Sequence, residues 1–163
     1  MDLTLLHGVS DLLYREGAYL DEQRWDEWLA LFTEDCEFWM PAWDSEHELT
    51  KDPKSELSLI YYDSRAGLEE RVLRIRSGLS AASTPLPRTW HLAGNVRLGE
   101  REGNTLSVFA QWQTHAFLHQ RSETFYGRYE YRLRETGGNW RIARKKIILL
   151  NDVITTALDI YHI

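Results

Sequence analysis

Cysteine is nearly absent from this chain, since Cys36 is the only one among 163 residues. A single cysteine excludes an internal disulfide, and the simplest role for such a thiol is that of a small buried side chain. The chain is nevertheless long enough to bury an ordinary hydrophobic core.

Long apolar runs and an excess of positive charge are also missing. No apolar segment approaches the roughly 18 residues of a membrane-spanning helix, and the chain does not open with a basic segment followed by an apolar one. The formal net charge of −6 at pH 7 argues against nucleic acid as a partner. We therefore expect a soluble, cytoplasmic protein that binds neither a membrane nor nucleic acid.

Proline and glycine are few, whereas aromatic residues are many. With 4 prolines, 10 glycines and 43% hydrophobic residues, the composition argues against a disordered chain. The 7 Trp, 8 Tyr and 5 Phe are typical of a filled core, a lined cavity or a large interface. We expect residues 1–163 to form one domain.

Apolar residues at helical spacing predict two helices near the N-terminus. The first runs from about Leu3 to Tyr19, and Glu16 falls close to its apolar stripe. A buried acid needs a partner, so Glu16 is expected to pair with an arginine or to line a pocket. The second helix is short, with Asp21 as its predicted N-cap and an apolar face formed by Trp25, Trp28, Leu29 and Phe32.

A strand and a long acidic loop come next. Cys36–Met40 is predicted to be a strand that Pro41 ends. Residues 42–58 are polar and acidic, and a loop of this length is usually a lid, a binding loop or an interface arm.

The third helix lies in the centre of the chain. Asp63 or Ser64 is its predicted N-cap, and Gly78 is the residue expected to end it. Pro85 and Pro87 then prevent the helix from resuming and impose an extended segment. The apolar stripe of this helix is formed by Leu68, Val72, Ile75 and Leu79.

From residue 90 onward the apolar period changes from 3.6 to 2, which predicts four strands, with turns at Gly103–Asn104 and at Gly137–Gly138. Consecutive apolar residues in the last strand predict a bulge or burial on both faces. Three helices followed by four strands indicate an α+β fold, with the helices on one face of a curved antiparallel sheet. The buried face of the first of these strands is predicted to carry Trp90, Leu92, Val96 and Leu98.

The C-terminal segment Val153–Ile163 is too apolar for a free terminus. We expect it to dock on another element or subunit through Ile154, Leu158, Ile160 and Ile163.

Two kinds of site can be assembled from the polar residues. His115 and His119 would lie roughly 13 Å apart on a strand, too far for one metal ion, so they are expected to face solvent or a partner. Tyr14, Asp35 and His91 are the residue types of an acid–base site, in which a histidine oriented by an acid abstracts a proton next to a carbonyl. The structural alternatives are a turn residue for Asp35 and a hydrogen-bonded histidine for His91.

Basic residues cluster in the last two strands. One explanation is a solvated face with cross-strand pairs to acids, and the other is a face that docks on an acidic partner. The cluster consists of Arg128, Arg132, Arg134, Arg141, Arg144, Lys145 and Lys146.

The centre of the chain also resembles a known family. It combines Tyr-Tyr-Asp at 61–63, a helix containing Arg71-Val72, a Pro-x-Pro-Arg-Thr-x-His run at 85–91, and Asn95-Val96. These motifs in this order resemble the small (beta) subunit of aromatic-ring-hydroxylating dioxygenases. The Ala-Ser-Thr-Pro at 82–85 is similar to the benzoate, toluate, anthranilate and halobenzoate branch. The resemblance covers nearly the whole chain, including the Trp-rich second helix.

This resemblance implies a fold and a division of labour between subunits. The fold is the cone-shaped, cystatin-like one shared by nuclear transport factor 2 and scytalone dehydratase. The chain would be a non-catalytic structural subunit, and its one cysteine cannot supply the two that a Rieske cluster needs. The large (alpha) subunit would hold the Rieske [2Fe–2S] cluster and the mononuclear non-heme iron in an α3β3 hexamer. A reductase would deliver electrons from NADH for cis-dihydroxylation of the substrate in aromatic catabolism.

The same resemblance implies which residues fix the crossover from helix to sheet and a subunit contact. Arg88 and His91 are three residues apart on a strand and should face opposite sides, with the Arg88 guanidinium presented to fixed acceptors. The rival interpretation is a stand-alone isomerase, dehydratase or cyclase of the same fold that uses Tyr14, Asp35 and His91. The predicted structural or interface residues are Tyr62, Asp63, Arg71, Pro87, Arg88, Thr89, His91 and Asn95.

Overall fold

A computed structural model describes residues 2–163, which form three α-helices and six β-strands. The helices are α1 (Leu3–Asp21), α2 (Trp25–Ala30) and α3 (Arg65–Arg76). The strands are β1 (Phe32–Pro41), β2 (Ser58–Tyr62), β3 (Arg88–Glu102), β4 (Thr105–Leu118), β5 (Arg121–Thr136) and β6 (Asn139–Leu149). Short 3₁₀ turns cover Ala81–Ser83 and Ile160–His162. Across residues 2–163 no helix combines the length and apolarity needed to cross a membrane.

The strands form one curved sheet in the order β2-β1-β6-β5-β4-β3. Strands β3 to β6 form the predicted antiparallel meander. Strand β1 instead lies parallel to β6, with Phe38 opposite Lys145, so the sheet is not antiparallel throughout. The chain between β1 and β6 contains β2, α3 and β3 to β5, which is long enough to permit a parallel pair, whereas a hairpin would give an antiparallel one.

The helices cover one face of the sheet, which we call the inner face, and the opposite face is the outer face. Trp28, Phe32 and Phe38 form an aromatic cluster in which the Trp28 ring centroid lies 5.0 Å from Phe32 and 6.2 Å from Phe38. Each such buried side chain contributes about 1.5–3 kcal/mol of hydrophobic stabilisation. The buried stripe of α1 consists of Val9, Leu12, Leu13 and Leu20.

Several boundaries near α2 differ from those predicted. The helix ends at Ala30, and Phe32 belongs to β1, where extended backbone still carries its ring into the aromatic cluster. Strand β1 therefore begins four residues before the predicted Cys36 and includes Pro41 as its last residue. Asp21 is the last residue of α1 rather than the N-cap of α2, a position occupied by Arg24, whose side chain makes no capping hydrogen bond.

Helix α3 follows the predicted stripe over most of its length. Leu68, Val72 and Ile75 are buried, and Gly78 has a φ of +69°, the left-handed conformation expected just beyond a helix end. The helix ends at Arg76, however, so Leu79 lies outside it and is exposed, contrary to the predicted stripe.

A bulge in β3 reverses which residues face the core. Asn95 has a φ of +51°, and the pairing of β3 with β4 shifts between Gly94 and Arg97. Before the bulge, Trp90 and Leu92 are 56% and 49% exposed on the outer face, so their predicted burial is wrong. Beyond the bulge the alternation changes phase, and Val96 and Leu98 pack against the core as predicted.

The C-terminal segment docks on the domain itself. Its last four residues, Ile160–Ile163, are all buried, as the apolar composition predicted for Ile160 and Ile163. Leu158 is partly buried, whereas Ile154 remains on the surface. The acidic loop that follows β1 lies against β6, because the Trp43 indole N–H donates to the Leu149 carbonyl at 2.7 Å.

Candidate functional site

A cleft of about 480 Å³ lies between α1 and β3. Helix α1 approaches β3 closely at Gly17, where an added Cβ would lie 2.9 Å from the His91 Cβ, so the lack of a side chain permits this crossing. Leu13, Tyr14 and Ala93 line the cleft, as do the charged residues described next.

Glu16 and Lys145 form a buried ion pair in the cleft, with side chains only 3% and 1% exposed. The Lys145 Nζ donates to Glu16 Oε1 at 2.7 Å, and the Tyr131 hydroxyl donates to Glu16 Oε2 at 2.8 Å. Burial lowers the pKa of Lys145, and the Glu16 carboxylate opposes that shift. Glu16 is thus paired with a lysine and a tyrosine, and not with the expected arginine. Lys145 is buried and does not belong to the basic surface.

Asp21 at the end of α1 holds the start of β3. Its Oδ1 accepts hydrogen bonds from the Thr89 hydroxyl at 2.9 Å and from His91 Nδ1 at 2.5 Å. Its Oδ2 accepts the backbone N–H of His91 at 2.9 Å. A carboxylate that accepts three hydrogen bonds places the His91 proton on Nδ1 and leaves Nε2 as an acceptor.

The predicted acid–base set is only partly brought together. Tyr14 and His91 line the same cleft. Asp35 lies on β1 instead, in an ion pair with Arg134 at 2.9 Å, and the Arg134 hydrogen bond lowers the pKa of Asp35. The acid that orients His91 is Asp21, a role that its assignment as a helix cap obscured.

The two histidines considered as metal ligands have other environments. His115 hydrogen-bonds to the Gln113 amide at 2.8 Å and the Thr124 hydroxyl at 3.1 Å, while His119 lies in the turn after β4 with a φ of +50°. In the part of the chain that the structure describes, no group of three or more His, Cys, Asp or Glu side chains is arranged to hold a metal ion.

The residues of the family-like motif do not converge on one site. Arg71 on α3 donates to Asp159 through Nε at 2.9 Å and also through a second guanidinium nitrogen, which ties the C-terminal segment to the helix. Tyr62 packs on Gly67 and Phe38, and Asp63 is exposed. The other motif residues lie on or before β3: Pro87 is buried, Thr89 and His91 bind Asp21, and Asn95 forms the bulge.

Arg88 differs from its neighbours in the motif. Its guanidinium carbon lies 4.5 Å from the centroid of the Phe117 ring on the outer face. Arg88 is exposed, whereas the His91 side chain faces the inner cleft, so the two point to opposite sides as expected for residues three apart.

The basic cluster divides into paired and exposed members. Arg134, Arg144 and Lys146 pair with Asp35, Glu37 and Glu130, which agrees with the expected cross-strand pairs. Arg128, Arg132 and Arg141 are exposed, and no ion pair within residues 2–163 involves them.

The outer face also carries an exposed apolar patch. Leu92 on β3 and Tyr126 on β5 are both paired with Gln113 of β4, and the backbone N–H of Leu150 donates to the Tyr126 carbonyl at 2.9 Å. We call Trp90, Leu92, Tyr126 and Leu150 the outer patch; each is more than a third exposed. Two exposed arginines border it, Arg88 before Trp90 and Arg128 after Tyr126, and the exposed Arg97 and Arg132 lie further along β3 and β5.

Three helices against a cone-shaped sheet, with a cleft at the crossing of α1 and β3, define a protein of the cystatin-like α+β class. An NTF2-like protein with a cystatin-like fold from Novosphingobium aromaticivorans has the same fold, with a TM-score of 0.62 at 16% identity over 92% of this chain and 84% of that one. The solved beta subunit of a benzoate 1,2-dioxygenase from Burkholderia mallei is more similar, with a TM-score of 0.81 at 35% identity over 100% of this chain and 98% of that one.

Sequence comparison identifies the family. The model of the ring hydroxylating beta subunit family matches residues 15–156. The anthranilate 1,2-dioxygenase small subunit of Acinetobacter baylyi is 41% identical over 163 residues, which cover all of both chains. The chain therefore belongs to the ring hydroxylating beta subunit family, and the family resemblance seen in the sequence motifs is confirmed.

Proposed function

We propose that this chain is the small subunit of the oxygenase component of a dioxygenase that hydroxylates a carboxylated arene. The observation that carries the proposal is the family match over residues 15–156. Benzoate and anthranilate, the substrates in the names of the two relatives above, are both aromatic carboxylates. The stand-alone acid–base enzyme is not favoured, because Asp35 lies outside the cleft and the relatives are subunits of dioxygenases.

In this proposal the small subunit is a structural, non-catalytic component of a cytoplasmic α3β3 hexamer. A Rieske cluster needs two cysteines and two histidines, and this chain has one cysteine, so its residues do not fit the cluster. Nor do the described residues offer a ligand set for a mononuclear iron. Both centres are therefore assigned to the large subunit, with NADH electrons supplied through a reductase.

The outer patch and its arginine border support an interface with the large subunit. Contiguous exposed apolar surface of this kind marks sites of protein association. The arginines around it favour a partner surface that is acidic, and a second copy of the same basic face would be repelled. We therefore assign the large subunit to the outer patch.

Co-expression with the large subunit tests the proposal. We expect the two chains to purify together and native mass spectrometry to give three copies of each, with iron found only when the large subunit is present. A chain that purifies with stoichiometric iron by itself, or that never associates with the large subunit, would contradict it.

A matched pair of variants tests the assignment of the interface. Leu92→Arg places a charge in the outer patch and should reduce the yield of the complex, whereas Leu73→Arg, at an exposed leucine of α3, should leave the complex intact. If Leu92→Arg weakens only contacts between copies of this chain, the outer patch is a contact between small subunits and the assignment to the large subunit is wrong.

A further inference from the structure

Three buried polar atoms without hydrogen-bond partners lie together on the inner face of the sheet. They are His91 Nε2, Trp112 Nε1 and Thr114 Oγ1. His91 on β3 is directly opposite Thr114 on β4, and Trp112 is two residues away on the same face of β4. Leaving a buried polar atom unpaired costs free energy, and His91 is the one of these three residues that lines the cleft, so its Nε2 indicates that a further group supplies a hydrogen bond there.

Of the three, His91 connects this cluster to the cleft. Its side chain lines the cleft and is only 5% exposed. In the neutral ring Asp21 holds the proton on Nδ1, so Nε2 can accept a hydrogen bond from a donor that enters the cleft.

The charged groups that line the cleft already have partners. Glu16 is neutralised by Lys145 and also accepts the Tyr131 hydroxyl, while Asp21 accepts three hydrogen bonds. Lys145 is therefore not free to bind an anion, and an anionic ligand would lose hydration without gaining a counter-ion.

The remaining walls are apolar and aromatic. They include Leu13, Leu20 and Ala93, together with Tyr14 and Tyr129. A cleft of about 480 Å³ with such walls and a single well-placed acceptor is typical of a site for a small organic molecule.

We propose that the cleft between α1 and β3 binds a small uncharged aromatic molecule whose hydroxyl group donates a hydrogen bond to His91 Nε2. This site goes beyond the structural role proposed for the subunit, because it gives the small subunit a ligand of its own, chemically distinct from an aromatic carboxylate.

Calorimetric titration of the full-length chain with three probes tests the site. Phenol carries the hydroxyl, toluene has a ring without a donor, and benzoate has a ring with a negative charge. We expect phenol to bind about tenfold more tightly than toluene, the value of one hydrogen bond, and benzoate to show no saturable binding. The Nε2 resonance of His91 should shift on addition of phenol and remain unchanged on addition of toluene.

Two variants assign the binding to the cleft. His91→Phe should remove the advantage of phenol over toluene, while His47→Phe, in the exposed loop after β1, should keep it. If His91→Phe does not fold, Ala93→Leu tests the site instead. The larger side chain fills part of the cleft without replacing Asp21 or His91, so it should weaken the binding of phenol and of toluene alike.

The proposal is overturned if phenol and toluene bind equally, if none of the probes binds, or if phenol binding survives both cleft variants. A crystal structure grown with phenol that shows only water at His91 Nε2 would overturn it as well. None of these outcomes depends on the large subunit, so the site can fail while the proposed function stands.

Discussion

Glu16 and Lys145 are the most strongly buried charges of the cleft, and their pairing depends on two facing elements. Lys145 shares the inner face of β6 with Ile147 and Leu149, two and four residues further along the strand, and α1 brings Glu16 above it. The Lys145 Nζ also lies 4.1 Å from the centroid of the Tyr129 ring. Each charge is therefore stabilised by the other and not by water.

Removing one member of this pair should be costly. Glu16→Gln leaves the ammonium of Lys145 without a counter-ion, and we expect a loss of about 3 kcal/mol in the free energy of unfolding. Glu16→Met combined with Lys145→Met should cost less than the two single changes added together, because no charge then remains buried. Urea unfolding of the wild type, the two single Met variants and the double Met variant measures this coupling.

The exposed Asp11–Arg15 pair on the same helix provides the control. Asp11→Asn should change the stability by less than about 0.5 kcal/mol. A Glu16→Gln protein as stable as the wild type would contradict the interpretation of a mutually dependent pair.

His162 makes the stability sensitive to acid. Burial lowers the pKa of His162 to about 4, although Asp159 and Glu123 act in the opposite direction. The Nδ1 of His162 accepts the backbone N–H of Asp159 at 3.0 Å, which requires the neutral ring. An unfolded chain, with an ordinary histidine pKa near 6.5, takes up the proton at a higher pH than the folded chain.

The stabilising effect of neutral His162 is thus complete above pH 6.5 and is lost as the pH falls toward 4. We expect the wild type to lose up to about 3 kcal/mol over this range relative to His162→Asn, whose amide oxygen can accept the same hydrogen bond. Denaturant unfolding at several pH values measures the difference. The exposed His47→Asn should follow the wild-type curve, and an identical curve for His162→Asn would refute the assignment.

At the scale of elements, the C-terminal segment acts as a latch on the domain. The Asp159 side chain caps the terminal 3₁₀ turn and pairs with Arg71 of α3, while the hydroxyls of Ser83 and Tyr161 lie 2.9 Å apart. The latch therefore joins α3, the turn before β3 and the end of the chain.

Deleting Ile160–Ile163 should consequently destabilise the domain. The loss should be about 4 kcal/mol or more, because Ile160, Tyr161 and Ile163 are fully or almost fully buried. Thermal unfolding compares the truncated chain with Val153→Ala, a change at an exposed position of the same segment that should alter the stability by less than about 0.5 kcal/mol. A truncated chain that melts like the wild type would show that the latch contributes nothing.

The elements themselves were largely predictable from hydrophobic period. Periods of 3.6 and 2 located α1, α3 and the four-stranded meander, because their buried stripes are regular. The inner face of β3 was not predictable, since the bulge at Asn95 changes the phase of the alternation midway along the strand. The signal available in the sequence was Gly94-Asn95, because these two residue types adopt the left-handed conformation more readily than most.

The cleft was less predictable than the fold. His91 could be singled out because of its residue type, whereas Asp21 and Lys145 looked like a helix cap and part of a basic run. Their roles depend on long-range contacts, with Asp21 bonded to residues about 70 positions away and Glu16 bonded to a lysine 129 positions away. For Lys145 a local signal existed, because it lies two and four residues before the apolar Ile147 and Leu149 and therefore on the same face of β6.

For the whole molecule, the two sides of β3 separate folding from assembly. The inner side carries His91, which holds β3 to α1 through Asp21. The outer side carries Arg88, which stacks on Phe117 at the border of the outer patch. If the subunit is a structural component of the oxygenase, a change on each side should reduce activity by a different route.

His91→Ala removes the partner of a half-buried carboxylate and should lower the free energy of unfolding of the isolated chain by about 1–3 kcal/mol. Arg88→Lys keeps the charge but loses the planar fork that can bind two acceptors, so it should leave that stability unchanged and weaken assembly with the large subunit roughly tenfold. Denaturant unfolding measures the first effect, and titration of the large subunit measures the second. If the small subunit has the structural role that we propose, the activity per assembled complex should equal that of the wild type in both variants. A hexamer that forms normally with Arg88→Lys but turns over about a hundredfold more slowly would place Arg88 in the reaction and contradict the structural role.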